Sequence, residues 1–232
     1  MIALSVLSYN VHFGRRSKKF IPWLTRQTDA DVMCLQEFPE KKIEEFLALL
    51  PKNKYAFAYA PSMSIFKKVY GELTLLRKHI LSIQTTKIIP LGTNRMEKAV
   101  LRTQLQRTAL LTEMNYKGKR FVLVNPQLVS LASNHVRYGQ VKIILKALQT
   151  YRIPTFIIGD FNIPSLKVNK KLFGFMKLHE YNSHETYKPT CRFGPLWYQV
   201  DYAFARRGLV KNFNIERVNF SDHHPITVDI HF

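Results

Sequence analysis

Residues Thr155-Phe156-Ile157-Ile158-Gly159-Asp160-Phe161-Asn162 form an apolar run that stops abruptly in Asp160 and Asn162, two positions apart. A short apolar segment bounded by glycine predicts a buried strand over Thr155–Ile158. Alternate residues of an extended chain share a face, so Asp160 and Asn162 are co-directed if the extension continues past Gly159.

The same design recurs at three other places. Leu7-Ser8-Tyr9-Asn10-Val11-His12 ends a predicted strand, Leu4–Tyr9, with Asn10 and His12 on one side. Val32-Met33-Cys34-Leu35-Gln36-Glu37 runs a buried strand, Val32–Leu35, straight into a carboxylate. Ser221-Asp222-His223-His224-Pro225 places an Asp-His pair just before a last strand, Ile226–Ile230. Taken singly, each has an ordinary reading, since Asn and Asp favour turns and Glu37 could be a solvated strand end. Jointly, carboxylates and carboxamides with a His at strand ends supply oxygen ligands, a base and a proton carrier. Those are the needs of a hard cation and a phosphate.

Between these points the periodicity alternates. Helices are predicted at Lys18–Thr28 (Phe20, Ile21 and Leu24 on one side), at Glu40–Leu50 (Ile43, Phe46, Leu47, Leu50) and at Val136–Leu148 (Val136, Ile143, Ile144, Leu148). Residues 55–114 read mostly as strands, including Leu73–Leu76, Ile80–Ile89, Val100–Leu105 and Thr108–Met114. Phe121–Val124, Gln199–Ala205 and Phe213–Val218 complete the set. Many strands with a few long helices imply two sheets packed face to face and flanked by helices, an α/β sandwich.

The 232 residues carry 35 Lys+Arg against 16 Asp+Glu, a formal net charge of +19, with 46% apolar residues. That composition excludes a disordered basic tail. Residues 1–116 hold 18 bases and 9 acids, and residues 117–232 hold 17 and 7, so the excess is spread evenly. No linker or repeat interrupts the chain, and one domain over 1–232 is expected, as a monomer. Cys34 and Cys191 are expected to be reduced thiols. No run approaches the ~20 apolar residues of a membrane span. The start, Met1-Ile2-Ala3-Leu4, lacks a basic signal-peptide region, so a cytoplasmic protein is expected.

The series Ser8-Tyr9-Asn10-Val11-His12, Leu35-Gln36-Glu37, Gly159-Asp160-Phe161-Asn162, Val200-Asp201-Tyr202-Ala203-Phe204 and Ser221-Asp222-His223-His224-Pro225 resembles, in this order, the endonuclease/exonuclease/phosphatase superfamily. Gly71–Arg77 resembles that group's Gly-x-x-hydrophobic-Leu-Ser-Arg strand, and Arg137 with Gln140 its Arg-x-x-Gln. The resemblance implies a four-layer α/β/β/α sandwich of two mixed, mainly antiparallel sheets.

Carried over by position, it implies Glu37 as the principal Mg2+ ligand, with Asn10 and Asp222 assisting and Mn2+ as an alternative ion. Asp160, held by Asn162, would position or deprotonate the attacking water. His223 would face the scissile phosphate, oriented by Asp201. The reaction would be in-line attack of water on a phosphorus ester.

Two positions depart from relatives. His12 stands where abasic-site endonucleases carry Asp, which argues against that subgroup. Gln127, in Asn125-Pro126-Gln127-Leu128, stands where many relatives read His. An amide can hydrogen-bond a phosphate oxygen but cannot transfer a proton, so Gln127→His is expected to raise phosphodiesterase activity. His135 is expected to be a surface or capping residue.

Basic residues follow the motifs: Arg15, Arg16, Lys18 and Lys19; Lys167, Lys170 and Lys171; Arg206 and Arg207. If the strand ends converge, these runs ring the site, with Phe13, Phe161 and Trp197 available to stack on bases. His12, Arg15, Arg16, Arg137 and Lys167 are the candidate substrate contacts. Three readings follow: a nuclease acting on nucleic acid, an enzyme acting on anionic lipid headgroups or inositol phosphates, and a weakly active or non-catalytic phosphate binder.

Overall fold

Alternation along the strands divides their side chains between two layers. The chain builds β1 (Ala3–Asn10), β2 (Val32–Pro39), β3 (Tyr55–Ile65) and β4 (Lys68–Arg77), then crosses to a second sheet. That sheet takes β5 (Leu81–Gly92), β6 (Arg107–Tyr116), β7 (Lys119–Pro126), β8 (Thr155–Ser165), β9 (Cys191–Phe193) and β10 (Leu196–Arg206). The chain returns to the first sheet for β11 (Leu209–Ile215) and β12 (Ile226–His231). The computed structural model describes residues 2–27, 29–52 and 54–232. Met1 and the last residue of the predicted Lys18–Thr28 helix therefore lie outside the described residues.

Each sheet has six strands, in the orders β11-β12-β1-β2-β4-β3 and β5-β6-β7-β8-β10-β9. Among the described residues, the parallel strand pairs are the central β1/β2 and β7/β8. Leu4, Val6, Cys34, Phe121, Leu123, Phe156, Ile158, Ala203 and Val228 meet between the sheets. The opposite faces are covered by helices. Leu7, Tyr9, Met33 and Leu35 pack under α1 (Ser17–Leu24) and α2 (Ile43–Leu49), while Val122, Val124 and Ile157 pack under α4 (Asn134–Leu148) and α5 (Lys170–Lys177). The four layers are those expected.

Several elements differ from expectation, among them α5 and β9, which the sequence reading did not give. Val100–Leu105 is not a strand: α3 (Arg95–Leu101) occupies its start, because Asn94 caps the helix by accepting from Met96 N at 2.9 Å and Glu97 N at 3.3 Å. In α4 the buried stripe is Val141, Ile144, Leu145 and Leu148, at helical spacing, and Ile143 is exposed. The last strand pair begins earlier than Phe213, at Leu209. His135 lies exposed in the first turn of α4.

Glu72 on β4 is a fully buried carboxyl whose Oε2 accepts from Thr108 Oγ1 at 2.8 Å, while Oε1 has no partner among the described residues. Burial pushes it up to about 8, against Thr108 and the Arg107 charge, which lower it. Arg107 from β6 is the ionisable group acting on it, and the Glu72 charge in turn raises the Tyr59 phenol of β3. The native state thus keeps a proton that the unfolded chain releases. Its contribution to stability is complete below the ordinary carboxylate range and is lost as pH rises towards 8. Between those limits Glu72 should remove about 1.4 kcal/mol of stability per pH unit. Glu72→Gln should flatten that slope in urea-unfolding series, and an unchanged slope would contradict the assignment.

Candidate active site

The inter-sheet faces end together. Val6, Ser8 and Asn10 succeed one another on β1, Cys34 and Gln36 on β2, Leu123 and Asn125 on β7, and Ile158 and Asp160 on β8. Apolar residues fill the middle, and polar residues meet at the end where the parallel pairs finish. Gln36 Nε2 donates to Ser8 Oγ at 3.0 Å and Asn125 Oδ1 at 2.7 Å, and Asn10 Nδ2 crosses to Asp160 Oδ2 at 3.0 Å.

Asp160 accepts two further bonds, from Asn162 N at 2.8 Å and Asn162 Nδ2 at 3.0 Å. Asn162 achieves this with a left-handed backbone, φ 48°. The preceding glycine is required by close approach: a Cβ on Gly159 would sit 2.5 Å from the Pro126 carbonyl oxygen. Burial raises the Asp160 carboxyl well above its ordinary value, with the His223 charge opposing.

Asp201 pairs with Asp160 in the β8–β10 register and lies 2.9 Å from His223 Nδ1, which donates to it. His223 Nε2 is then directed towards Asp160 Oδ2, at 3.9 Å. Burial would depress the imidazole, but Asp201, the Cys191 sulfur and Asp160 outweigh it and hold His223 well above its ordinary value. The loop is tethered by His223 N donating to Ser221 Oγ at 3.1 Å and Ser221 Oγ donating to Asn10 O at 2.8 Å.

Glu37 follows Gln36 with φ 56°, where β2 slips register against β4. This turn brings its carboxylate beside Asn10 on the wall of one cavity of about 510 Å3, with Asp160, Asn162, Asp222 and His223. His12 and Arg137 also line it. The His12 Nδ1 contact at 2.9 Å holds Asp222 below the usual carboxylate range, against burial, which would raise it.

Gln127 is placed differently from expectation. It is fully buried, does not line the cavity, and uses both ends of its amide. Arg107 Nη1 donates to its Oε1 at 2.6 Å, and its Nε2 donates to Glu37 Oε1. Arg107 is itself clamped by Glu97, at 2.6 and 3.0 Å. A phosphate contact by Gln127 is therefore corrected to a support for Glu37. An imidazole here would lose one of the two bonds and face the Arg107 cation. Gln127→His should lower phosphoesterase activity; an increase would contradict this placement.

Other expected contacts also move. Arg137 spends its guanidinium on Val129 O at 2.9 Å, Asn134 Oδ1 at 2.7 Å and Ser130 O, so it holds the loop after β7. Lys167 is exposed and off the cavity wall. Arg206 caps Leu148 O at 2.7 Å and Tyr151 O at 3.0 Å and pairs with Thr155, at the end of β8 away from Asp160, so Arg206 and Arg207 do not ring the site. Phe161 is core, packed on Tyr202 and Phe204. Phe13 lines the cavity, and Trp197 stacks on His224 at 4.3 Å. Arg15 and Arg16 line a groove of about 600 Å3 that shares His12, Arg192 and Asp222 with the cavity. Arg107, Arg192 and Cys191 carry no signature in the sequence beyond their residue type.

The donor set fits a divalent cation. Asn10, Glu37 and Asp222 offer oxygen only, and Glu37 is a buried carboxylate that makes no ion pair among the described residues. A second acidic cluster, Asp160, Asp201 and His223, has its donor atoms within 4.8 Å of one another.

The profile of the Endonuclease/Exonuclease/phosphatase family matches residues 7–223. No curated protein matches the chain. Among solved structures, an endonuclease/exonuclease/phosphatase from Bacteroides vulgatus superposes with a TM-score of 0.77 at 16% identity, over 100% of both chains. A humanized D. rerio TDP2 gives 0.73 at 18% identity, covering 99% of each chain. The human Nocturnin catalytic domain with bound sulfate gives 0.73 at 17%, over 99% of this chain and 94% of that one.

Proposed function

The chain belongs to the endonuclease/exonuclease/phosphatase family, and from that premise we propose that it is a Mg2+-dependent phosphodiesterase acting on nucleic acid. Asn10, Glu37 and Asp222 are the residues that would hold Mg2+, which when bound supplies positive charge at the phosphate oxygens. Asp160, fixed by Asn10 and Asn162, orients the attacking water and takes its proton. His223 donates to a non-bridging oxygen as charge accumulates there, and Asp201 keeps its Nε2 aimed inward. Attack is in line: the water oxygen bonds to phosphorus as the bond to the ester oxygen breaks, and that oxygen leaves as an alkoxide that takes its proton from solvent.

The choice of a polymer rests on one observation. The cavity adjoins two grooves, of about 600 Å3 (sharing His12, Arg192 and Asp222 with it) and about 770 Å3 (sharing Phe13), that carry Arg15, Arg16, Arg192 and Arg102 beside Trp197, Phe220, Phe13 and Tyr70. A charged path with aromatic faces suits a sugar-phosphate chain passing through the site. A headgroup reading has its own support. Phe66, 83% exposed at the β3–β4 tip, and Val100 stand beside Lys67, Lys68 and Arg102, an arrangement suited to an anionic membrane surface.

A panel of single-stranded DNA, duplex DNA, RNA and anionic vesicles, each with Mg2+ and with EDTA, separates these readings. EDTA-sensitive strand cleavage is expected. Headgroup release without strand cleavage would replace the proposal with the second reading, and binding without cleavage would leave a phosphate-binding protein. On duplex DNA, Arg15→Gln with Arg192→Gln should reduce the salt slope of log K by about 2, since each lost phosphate contact removes about 0.9. An unchanged slope would remove these grooves from the path.

A further inference from the structure

Cys191 is the half-buried thiol of the chain; Cys34 is buried within the sheets. It stands on the cavity wall beside two groups of different chemistry, and one donor atom each from Cys191, Asp222 and His223 lies within 4.8 Å of the others. We propose that these three residues form a second metal site at the mouth of the cavity, selective for thiophilic ions such as Zn2+ and sharing only Asp222 with the oxygen ligands around Glu37.

The backbone holds the three donors together. Cys191 forms an antiparallel bridge with His223, Arg192 N donates to Asp222 O at 2.8 Å, and His224 N donates to Thr190 O at 2.6 Å. β9 is thus stitched to the Ser221–His223 loop on either side of the thiol. The histidine is already arranged as metal-ligating histidines are: a carboxylate, Asp201, sits 2.9 Å from Nδ1, which leaves Nε2 for a ligand. Asp222 Oδ1 is engaged by His12 at 2.9 Å, which leaves Oδ2.

Tetrahedral ligation at about 2.0–2.3 Å per bond needs donors roughly 3.5 Å apart, so closing the site needs donors now within 4.8 Å of one another to draw somewhat nearer. Three protein ligands leave the fourth position to water. Binding displaces the Cys191 thiol proton and the His223 Nε2 proton to solvent. A thiolate and an imidazole prefer Zn2+ strongly over Mg2+. Occupancy would also withdraw Nε2 from the phosphate. Zn2+ inhibition is therefore a consequence, and that part alone rests on the catalytic reading above.

The test uses the full chain without substrate, so it can succeed or fail independently of the reaction. Co2+ added to the protein in Mg2+-containing buffer should give a near-ultraviolet thiolate-to-cobalt charge-transfer band at one equivalent, bleached by Zn2+. Cys191→Ser should lose the band. Asp201→Asn should keep it while weakening Zn2+ binding about 10–100-fold, the usual effect of removing a carboxylate behind a ligating histidine. On the wild-type chain itself, stoichiometric Zn2+ but not Mg2+ should protect Cys191 from alkylation, a readout that no misfolded variant can mimic. Absence of the band from the wild type, its persistence in Cys191→Ser, its removal by Mg2+, or no protection of Cys191 would overturn the site.

Discussion

Replacing His223 with alanine is expected to lower kcat for phosphodiester hydrolysis about 10²–10³-fold, with KM much less affected, because the lost contact is one made to charge developing in the transition state. The structure gives the reason. The ring is almost fully buried, held by Asp201 at 2.9 Å and raised well above its ordinary value chiefly by that carboxylate, so its donor is oriented before substrate arrives. Asp201→Asn should reduce kcat in the same direction by weakening that hold. Equal loss in kcat/KM and binding, with kcat unchanged, would make His223 a ground-state contact only.

Arg107→Met is expected to destabilise the fold by about 3–5 kcal/mol, read as a drop in the urea midpoint, because it strands the buried Glu97 carboxylate. Glu97 grips Arg107 through both oxygens, and neither side chain reaches solvent appreciably. Replacing both, Glu97→Met with Arg107→Met, should recover most of the stability, since a buried ion pair exchanged for apolar side chains is often neutral. Activity should not recover with it. Without Arg107 on its oxygen, the Gln127 amide loses the partner that fixes which end meets Glu37. A double variant that regains both stability and activity would show that Arg107 matters to the site only through folding.

The fold was legible because its logic is local. Short continuous apolar runs identify β1, β2 and β8, and the polar residues that break each run are those that meet at the strand ends. Asn10, Glu37, Asp160, Asn162, Asp222 and His223 line one cavity, with Asp201 behind His223. What could not be read was set by partners distant in sequence. Gln127 resembled a missing catalytic side chain, and only the arrival of Arg107, twenty residues earlier, makes it a support. The direction of β10 after Asp201 carries Arg206 away from the site, although sequence adjacency suggested the reverse. Cys191 lies beside His223 through a three-residue strand too short to leave a periodic signal. In α3 the signal was present, Asn94 followed by Glu97, but the Val100-Leu101 pair read more strongly as a strand.

The most direct test of the central claim is cleavage of an end-labelled single-stranded oligonucleotide by the wild type, Glu37→Ala and Asp160→Ala proteins at matched folded concentration, with Mg2+ and with EDTA. Cleavage by the wild type alone, abolished by EDTA and reduced at least about 10²-fold in both variants, is the expected result. Cleavage that survives both substitutions would contradict the assignment of this site.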